Sequence, residues 1–163
     1  MKKIFLAAAL LFSVYVNGQT VPDFDLIKLE KTADYKAAEP FAFQTAVYLL
    51  STPVGKDNSE NRLKSVQFLV KWMSGTPDYS FVMDETTAKI GGDNKDIFGI
   101  YMAAMIKYSI DNKAVARDSK QVKLNAISML LGYCENKNNH VKMSKQLKKL
   151  SEAKAKGTLE QAL

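Results

Sequence analysis

Only two side chains in this sequence belong to the types that most often carry nucleophilic or metal chemistry. Cys134 is the only cysteine and His140 the only histidine among 163 residues. A thiol and an imidazole could form a nucleophile–base pair. Cys134, however, continues an apolar helical stripe with Leu124, Ile127 and Leu131, where a thiol has a raised pKa and reacts slowly. We therefore predict a buried thiol, no catalytic pair, no zinc site and no cofactor.

Acidic residues offer a second kind of chemistry. The segment 93–96, which follows Gly91 and Gly92, superficially suggests a calcium loop. It lacks the alternating acids and the closing glutamate of an EF-hand, so a turn and a helix N-cap account for it better. Acids such as Asp84, Glu85 and Asp96 could pair in space, as carboxylate-based hydrolysis requires. A small carboxylate-based hydrolase is therefore one alternative function.

Aromatic and methionine side chains could instead line an apolar ligand groove. The four that we single out for ligand binding are Phe68, Trp72, Tyr101 and Met105. Large, adaptable side chains of this kind suit an apolar small molecule, although they also fill ordinary cores. A carrier of an apolar small molecule is therefore a second alternative function.

Lysines crowd the C-terminal part of the chain. The candidates for contact with an anionic surface are Lys142, Lys145, Lys148 and Lys149. They could touch lipid headgroups, lipopolysaccharide or an acidic partner, whereas a solvated face with leucines turned inward is the simpler interpretation. The formal net charge of +6 does not by itself indicate a nucleic-acid partner, and we expect none.

The N-terminus has the pattern of a secretory signal. Lys2 and Lys3 precede an apolar run, IFLAAALLFSVYV, and Gly18 provides a small residue before the cut. The run is shorter than the roughly 20 residues of a membrane-spanning helix, and no later stretch is long enough either. The predicted units are a signal peptide over 1–18, an N-terminal arm over 19–38 and one helical domain over 39–163. We expect a mature protein in the periplasm or outside the cell.

Apolar spacing predicts an all-α domain of about five helices. They run over about 40–51, 57–75, 95–110, 119–135 and 141–156. The third is apolar on most sides, which predicts a central position. The predicted buried stripe of the first helix is Phe43, Ala46, Val47 and Leu50. That of the second is Leu63, Val66, Val70 and Met73, widened by Phe68, Leu69 and Trp72. We expect Asp57 and Glu60 to form a capping box before this helix.

A possible internal repeat relates the second and fourth helices. Residues 63–73 align without gaps with 124–134, at an offset of 61, and apolar residues meet apolar residues. Another helix precedes each, so the fold would be two stacked helical hairpins with a basic C-terminal helix, or an irregular bundle. Any two amphipathic helices of one length align nearly as well, so both interpretations stay open. The arrangement resembles tetratricopeptide-type solenoids, whose shorter period and Trp–Leu–Gly–Tyr pattern are absent.

The chain also resembles a group of small exported all-helical bacterial proteins. The resemblance rests on the signal, on the phrases YLLSTP, KWMSGTPDYSF and YMAAMIKY, and on the run VKLNAISMLLGYCENKNN. It covers nearly the whole mature chain and implies a helical fold and export. That group is usually left without an assigned function, so the resemblance implies no active residues.

These patterns favour a non-catalytic extracytoplasmic protein-interaction or binding module. Helical hairpins present side chains along one face, where they can recognise an envelope or secreted protein.

Overall fold

The structure, a computed structural model, describes residues 21–91 and 94–163, and these contain helices but no β-strand. The seven α-helices of the described residues are α1 (Thr32–Ala37), α2 (Glu39–Ser51), α3 (Ser59–Gly75), α4 (Glu85–Gly91), α5 (Lys95–Asp111), α6 (Ser119–Glu135) and α7 (Lys145–Ala155). The all-α prediction is confirmed. The predicted signal peptide, and Gly92 and Asp93 of the glycine-rich joint, lie outside the described residues.

The five predicted helices correspond to α2, α3, α5, α6 and α7, and two short helices were not predicted. α1 lies within the N-terminal arm, and α4 follows an irregular segment. A reciprocal cap explains how so short a helix as α4 begins. Thr87 N donates to Asp84 Oδ1, and Asp84 N donates to Thr87 Oγ1, both at 2.9 Å. These bonds satisfy two of the backbone donors that a helix N-terminus leaves free.

The predicted capping box of α3 is wrong. The helix begins at Ser59 after Asn58, and no side chain caps its first turn. Glu60 points along the helix instead, where its carboxylate pairs with Lys64 Nζ at 2.8 Å. An exposed i,i+4 ion pair contributes only a few tenths of a kcal/mol, so α3 depends on packing for its stability.

α5 is the central helix, as its composition predicted. It packs against α2, α3, α4 and α6. From Ile100 to Ile106 every side chain is buried. Gly99 permits the close approach of α3, because a Cβ added there would lie 2.5 Å from Val66 Cγ2. The helix thus joins the core around α2 and α3 to the core around α4, α6 and α7.

The buried faces of α2 and α3 differ from the predicted stripes by one residue. In α2 the buried positions include Ala42, Thr45, Ala46 and Leu49. In α3 they include Arg62, Ser65, Leu69 and Trp72. Each of these residues immediately precedes a member of the predicted central stripe, which corresponds to a rotation of about 100° about the helix axis. Ala46, Leu69 and Trp72 were themselves predicted to be on the apolar stripes and are buried. Leu63 and Val70, predicted to be buried, are 58% and 47% exposed.

Small side chains explain this rotation. Ala42 and Ala46 on α2 and Ser65 on α3 are fully buried, and Leu69 and Trp72 fill the core beside the two alanines. A hydrophobicity pattern does not select such a face, because it contains polar and small residues in place of large aliphatic ones. Close packing therefore overrode the apolar periodicity.

The N-terminal arm is fixed on α3 by aromatic contacts. The ring of Phe24 stacks on that of Phe68, with 4.7 Å between centroids. Trp72 Nε1 donates to the carbonyl oxygen of Tyr35 at 2.9 Å. Tyr35 in turn donates its hydroxyl to the carbonyl oxygen of Leu29 at 3.2 Å. The indole of Trp72 is thus both buried and hydrogen-bonded, as a core tryptophan requires.

Candidate interaction surfaces

α6 repeats the buried positions of α3 at the offset of 61 residues. Its inward-facing positions include the half-buried Lys123 and the buried Ala126, Leu130 and Tyr133, the counterparts of Arg62, Ser65, Leu69 and Trp72. The first residue of each set is basic, and each of these two basic residues has an acidic partner. Arg62 Nε lies 3.7 Å from Asp96 Oδ1, and Lys123 Nζ lies 2.7 Å from Asp84 Oδ2. Both helices therefore turn the same face toward the interior.

α6 buries a second face, which α7 covers. Ser151 Oγ donates to Glu135 Oε1 at 2.7 Å, and Lys154 Nζ donates to the carbonyl oxygen of Ser128 at 3.3 Å. Leu131 lies on the same side of α6 and is fully buried. Leu147 and Leu150 of α7 belong to the same core cluster. Ser128, Leu131 and Glu135 thus lie on the side of α6 that faces α7, and Leu124, one turn earlier on the same side, is half-buried beside Leu163.

The equivalent side of α3 is open to solvent. Its four positions are Leu63, Gln67, Val70 and Ser74, all exposed, and we call them the α3 open face. Val66, half-buried against Gly99, borders this face on the α5 side. Lys64 and Lys71 lie on the other side, and Lys71 forms no ion pair with a described residue. The side that α7 covers on α6 is thus uncovered on α3, where two of its four residues are apolar.

The structure distributes the four predicted ligand-binding side chains over two parts of the core. Phe68 and Trp72 belong to the cluster around α2, and Tyr101 and Met105 to the cluster around α4, α6 and α7. Trp72, Tyr101 and Met105 are essentially fully buried, whereas Phe68 lines a groove of about 460 Å³ between the arm and α3. That these four residues hold one ligand stays a prediction.

A second groove beside the arm has exposed apolar side chains. It has a volume of about 510 Å³ and lies between residues 22–28 and the α1–α2 segment. Leu26 and Phe41 line it and are both exposed. The arm therefore borders a groove on each side, and the one beside Phe41 has the exposed apolar side chains.

The predicted anionic-contact lysines lie together on the surface. All four are exposed and form no ion pair with a described residue. They are Lys142, Lys145, Lys148 and Lys149, which we call the α7 basic face. Leu147 and Leu150 point the opposite way, into the core, which gives α7 an amphipathic character.

Cys134 is buried, as predicted, and its surroundings make it a poor nucleophile. Burial, with a further contribution from the charge of Glu135, raises the pKa of the thiol to about 11. His140 is exposed and ends a 3-10 turn with a left-handed backbone, φ 56°. Among the described residues no three His, Cys, Asp or Glu side chains are grouped so as to hold a metal ion.

Each of the three acids considered for hydrolysis has a cation of its own. Asp84 bonds Lys123 at 2.7 Å, Glu85 pairs with Lys89 at 2.7 Å, and Asp96 faces Arg62. The bond from Lys123 holds the pKa of the Asp84 carboxyl below its usual range. A general acid at neutral pH needs a raised pKa, so ion pairing moves Asp84 away from that role.

A buried polar network at the end of α2 was missed by the sequence analysis. The carbonyl oxygen of Thr52 accepts from an Arg62 terminal guanidinium nitrogen at 3.0 Å and from the Tyr133 hydroxyl at 2.6 Å. The side-chain amide of Asn139 donates to the carbonyl oxygen of Tyr133 at 2.8 Å, and the backbone carbonyl oxygen of Asn139 accepts from Val54 N at 3.2 Å. The only signal was an arginine in a helix otherwise supplied with lysines, since guanidinium is the cation more readily buried.

No protein-family model, curated protein or solved structure matches this chain. The resemblance to small exported helical proteins therefore stays a prediction. None of the helices within 21–91 and 94–163 combines the length and the hydrophobicity needed to cross a bilayer. The surfaces that the helices leave uncovered are the strongest guide to function.

Proposed function

We propose that this chain is a non-catalytic extracytoplasmic protein-interaction module whose binding site is the α3 open face. The observation that supports the proposal most directly is the exposure of Leu63 and Val70. Of their counterparts at the offset of 61 residues, Leu131 is fully buried on the side of α6 that α7 covers, and Leu124 is half-buried beside Leu163. The extracytoplasmic location rests on the predicted signal peptide.

Two stacked helical hairpins, α2–α3 and α5–α6, are the architecture on which this proposal rests. The helices of each hairpin pack on one another, and α2 packs on α5 between the hairpins. α3 and α6 turn equivalent positions inward, and in each helix the first of these positions is a basic residue that pairs with an acid. This correspondence supports duplication of one unit. In such an array a terminal helix normally covers the last apolar face. Here α7 covers α6, and no helix within residues 21–91 and 94–163 covers the equivalent side of α3.

An amphipathic helix of another protein is the partner that this face fits. α7 illustrates the mode of binding, because it turns Leu147 and Leu150 toward α6 and its lysines outward. Burial of Leu63 and Val70, each about half exposed, would contribute about 1 kcal/mol per side chain. Helix-in-groove recognition uses anchors at this spacing.

The charges beside the face favour an acidic partner over a second copy of this chain. Lys64 and Lys71 flank the face, and only Lys64 has an acidic neighbour that pairs with it. Two copies joined through this face would bring these lysines together, and like charges across an interface are unfavourable. Acidic residues beside the apolar stripe of the partner helix would instead be attracted.

Photocross-linking in the organism that makes the protein tests the proposal. Val70 is replaced by the photoreactive residue p-benzoylphenylalanine in the full-length chain, with and without Leu63→Asp. The matched control carries the same photoreactive residue in place of Gln121, an exposed polar position of α6. Circular dichroism and the thermal midpoint verify that each variant is folded. The cross-linked peptide is then identified by mass spectrometry.

We expect a product at position 70 that is absent at position 121 and maps to an amphipathic helical segment of another protein. Leu63→Asp should reduce it about ten-fold, because the substitution removes the larger anchor and introduces a charge. A product made of two copies of this chain, a product insensitive to Leu63→Asp, or no product beyond the control would overturn the proposal.

A further inference from the structure

The positive charge of this protein is concentrated in one segment. Residues 137–156 carry seven lysines and one glutamate, a formal charge of +6, which equals the net charge of the whole chain. The remaining residues are therefore neutral as a set. Elsewhere many lysines have an acidic partner, such as Lys36 with Asp78 and Lys113 with Glu39. This distribution creates a local electrostatic field of one sign.

The charges of this segment project from a rigid support. Leu147 and Leu150 fix the inner side of α7 in the core, and Lys154 anchors it to Glu135 at 3.4 Å. Lys145, Lys148 and Lys149 occupy the opposite side, all exposed. At a rise of 1.5 Å per residue they span about 6 Å along the helix, less than the Debye length of about 8 Å at physiological ionic strength. A planar anionic surface can therefore meet them together.

We infer that the α7 basic face docks this protein on a bilayer that contains anionic phospholipid. The face consists of lysines, with neither arginine nor an exposed aromatic residue among Lys142–Lys149. Protein interfaces favour arginine and aromatic residues and are depleted in lysine. Lysine ammonium groups act as point charges that attract a fluid array of phosphates without requiring fixed geometry. These features favour a lipid surface over an acidic protein.

This contact is independent of the proposed function. The α3 open face and the α7 basic face use different helices, so one can fail without the other. Each lysine near an anionic bilayer contributes roughly a five-fold factor to the partition coefficient. Removal of three such lysines is therefore expected to weaken binding on the order of 100-fold.

Vesicle sedimentation with the mature chain, residues 19–163, tests the inference. Vesicles of phosphatidylcholine alone are compared with vesicles that contain 30% phosphatidylglycerol, at low and high salt. The variant K145E/K148E/K149E is compared with K28E/K56E/K71E, which changes the net charge equally at exposed lysines outside α7 that form no ion pair with a described residue. The neutral variant K145Q/K148Q/K149Q guards against an effect of the new carboxylates on folding, and circular dichroism checks all three.

We expect the wild-type chain to sediment with the anionic vesicles only, and to be released by high salt. K145Q/K148Q/K149Q should lose binding on the order of 100-fold and K145E/K148E/K149E at least as much, whereas K28E/K56E/K71E should lose no more than about five-fold. Equal losses in K145E/K148E/K149E and K28E/K56E/K71E would show that net charge alone attracts the protein, and would overturn the inference. The inference would also be overturned if the wild-type protein did not bind anionic vesicles, or if it bound neutral vesicles equally well.

Discussion

Arg62 is the residue whose burial most departs from what its type predicts. Its side chain is 4% exposed and donates to Thr52 and, at 3.4 Å, to the carbonyl oxygen of Leu49. One cation therefore bonds the carbonyl oxygen of Leu49 in the last turn of α2 and that of Thr52, which caps the helix. Arg62 thus stabilises the turn that joins α2 to α3.

Arg62→Ala should destabilise the fold by about 3 kcal/mol, because it leaves Asp96 and two carbonyl groups with fewer partners. Urea unfolding followed by circular dichroism measures the change. The other arginine, Arg117, is exposed and makes only a 3.4 Å bond to Pro77, so Arg117→Ala should change stability by less than about 0.5 kcal/mol. Equal effects of the two substitutions would contradict the role assigned to Arg62.

Cys134 should be unreactive in the folded protein. A thiol with a pKa of about 11 is on the order of 0.1% ionised at pH 8, and burial excludes the reagent. Ellman's reagent should therefore react fully in urea and negligibly in native buffer over an hour. Rapid native labelling would mean that the thiol is accessible.

At the scale of the helix, α3 shows why amphipathic patterns can misplace a buried face. Leu69 is fully buried, although Leu63 and Val70 have the more regular apolar spacing. Leu69→Ala should therefore cost about 2–5 kcal/mol, and Leu63→Ala less than about 0.5 kcal/mol. Chemical denaturation of both variants measures the difference. A larger loss of stability for Leu63→Ala than for Leu69→Ala would mean that α3 buries the face that contains Leu63.

The contact of α3 with α5 depends on a glycine. Gly99→Ala would place a Cβ 2.5 Å from Val66 Cγ2, and a β-branched valine cannot easily rotate away. We expect a loss of about 1–3 kcal/mol that Val66→Ala partly restores, in a double-mutant cycle of thermal unfolding. Gly55→Ala is the matched control, since its Cβ would meet no atom closer than 3.8 Å. Additive effects at 66 and 99 would contradict the close contact.

At the scale of the whole molecule, ion pairs between distant segments should make stability depend on pH. Lys123 lowers the pKa of Asp84. Burial raises the pKa of Glu39, but bonds from Lys113 and Tyr79 outweigh it and leave the pKa lowered. A carboxyl whose folded pKa lies below its unfolded value contributes stability above about pH 4, and that contribution is lost as the pH falls through the folded pKa.

The thermal midpoint should therefore fall between about pH 5 and pH 2 more steeply in the wild-type chain than in Asp84→Asn/Glu39→Gln. Asparagine still caps a helix, so the Asp84 substitution removes the charge and retains the cap of α4. Differential scanning calorimetry across this range measures both curves. Parallel curves would show that these two carboxylates do not couple folding to protonation.

The sequence by itself determined the local features of this protein. Helix positions follow from apolar period, prolines and polar breaks, which act within one segment, and the five long helices were predicted within a few residues. The central place of α5 followed from its composition, and the burial of Cys134 from its stripe.

Only the tertiary structure decided which face of each helix is buried. The rotation of α2 and α3 depends on how small side chains of two helices fit together, a property that neither helix has alone. The polar network of Arg62, Thr52 and Tyr133 likewise joins residues up to 81 positions apart. The exposure of Leu63 and Val70, on which the proposed function rests, is decided by the position of α7, because that helix covers α6 and leaves α3 open.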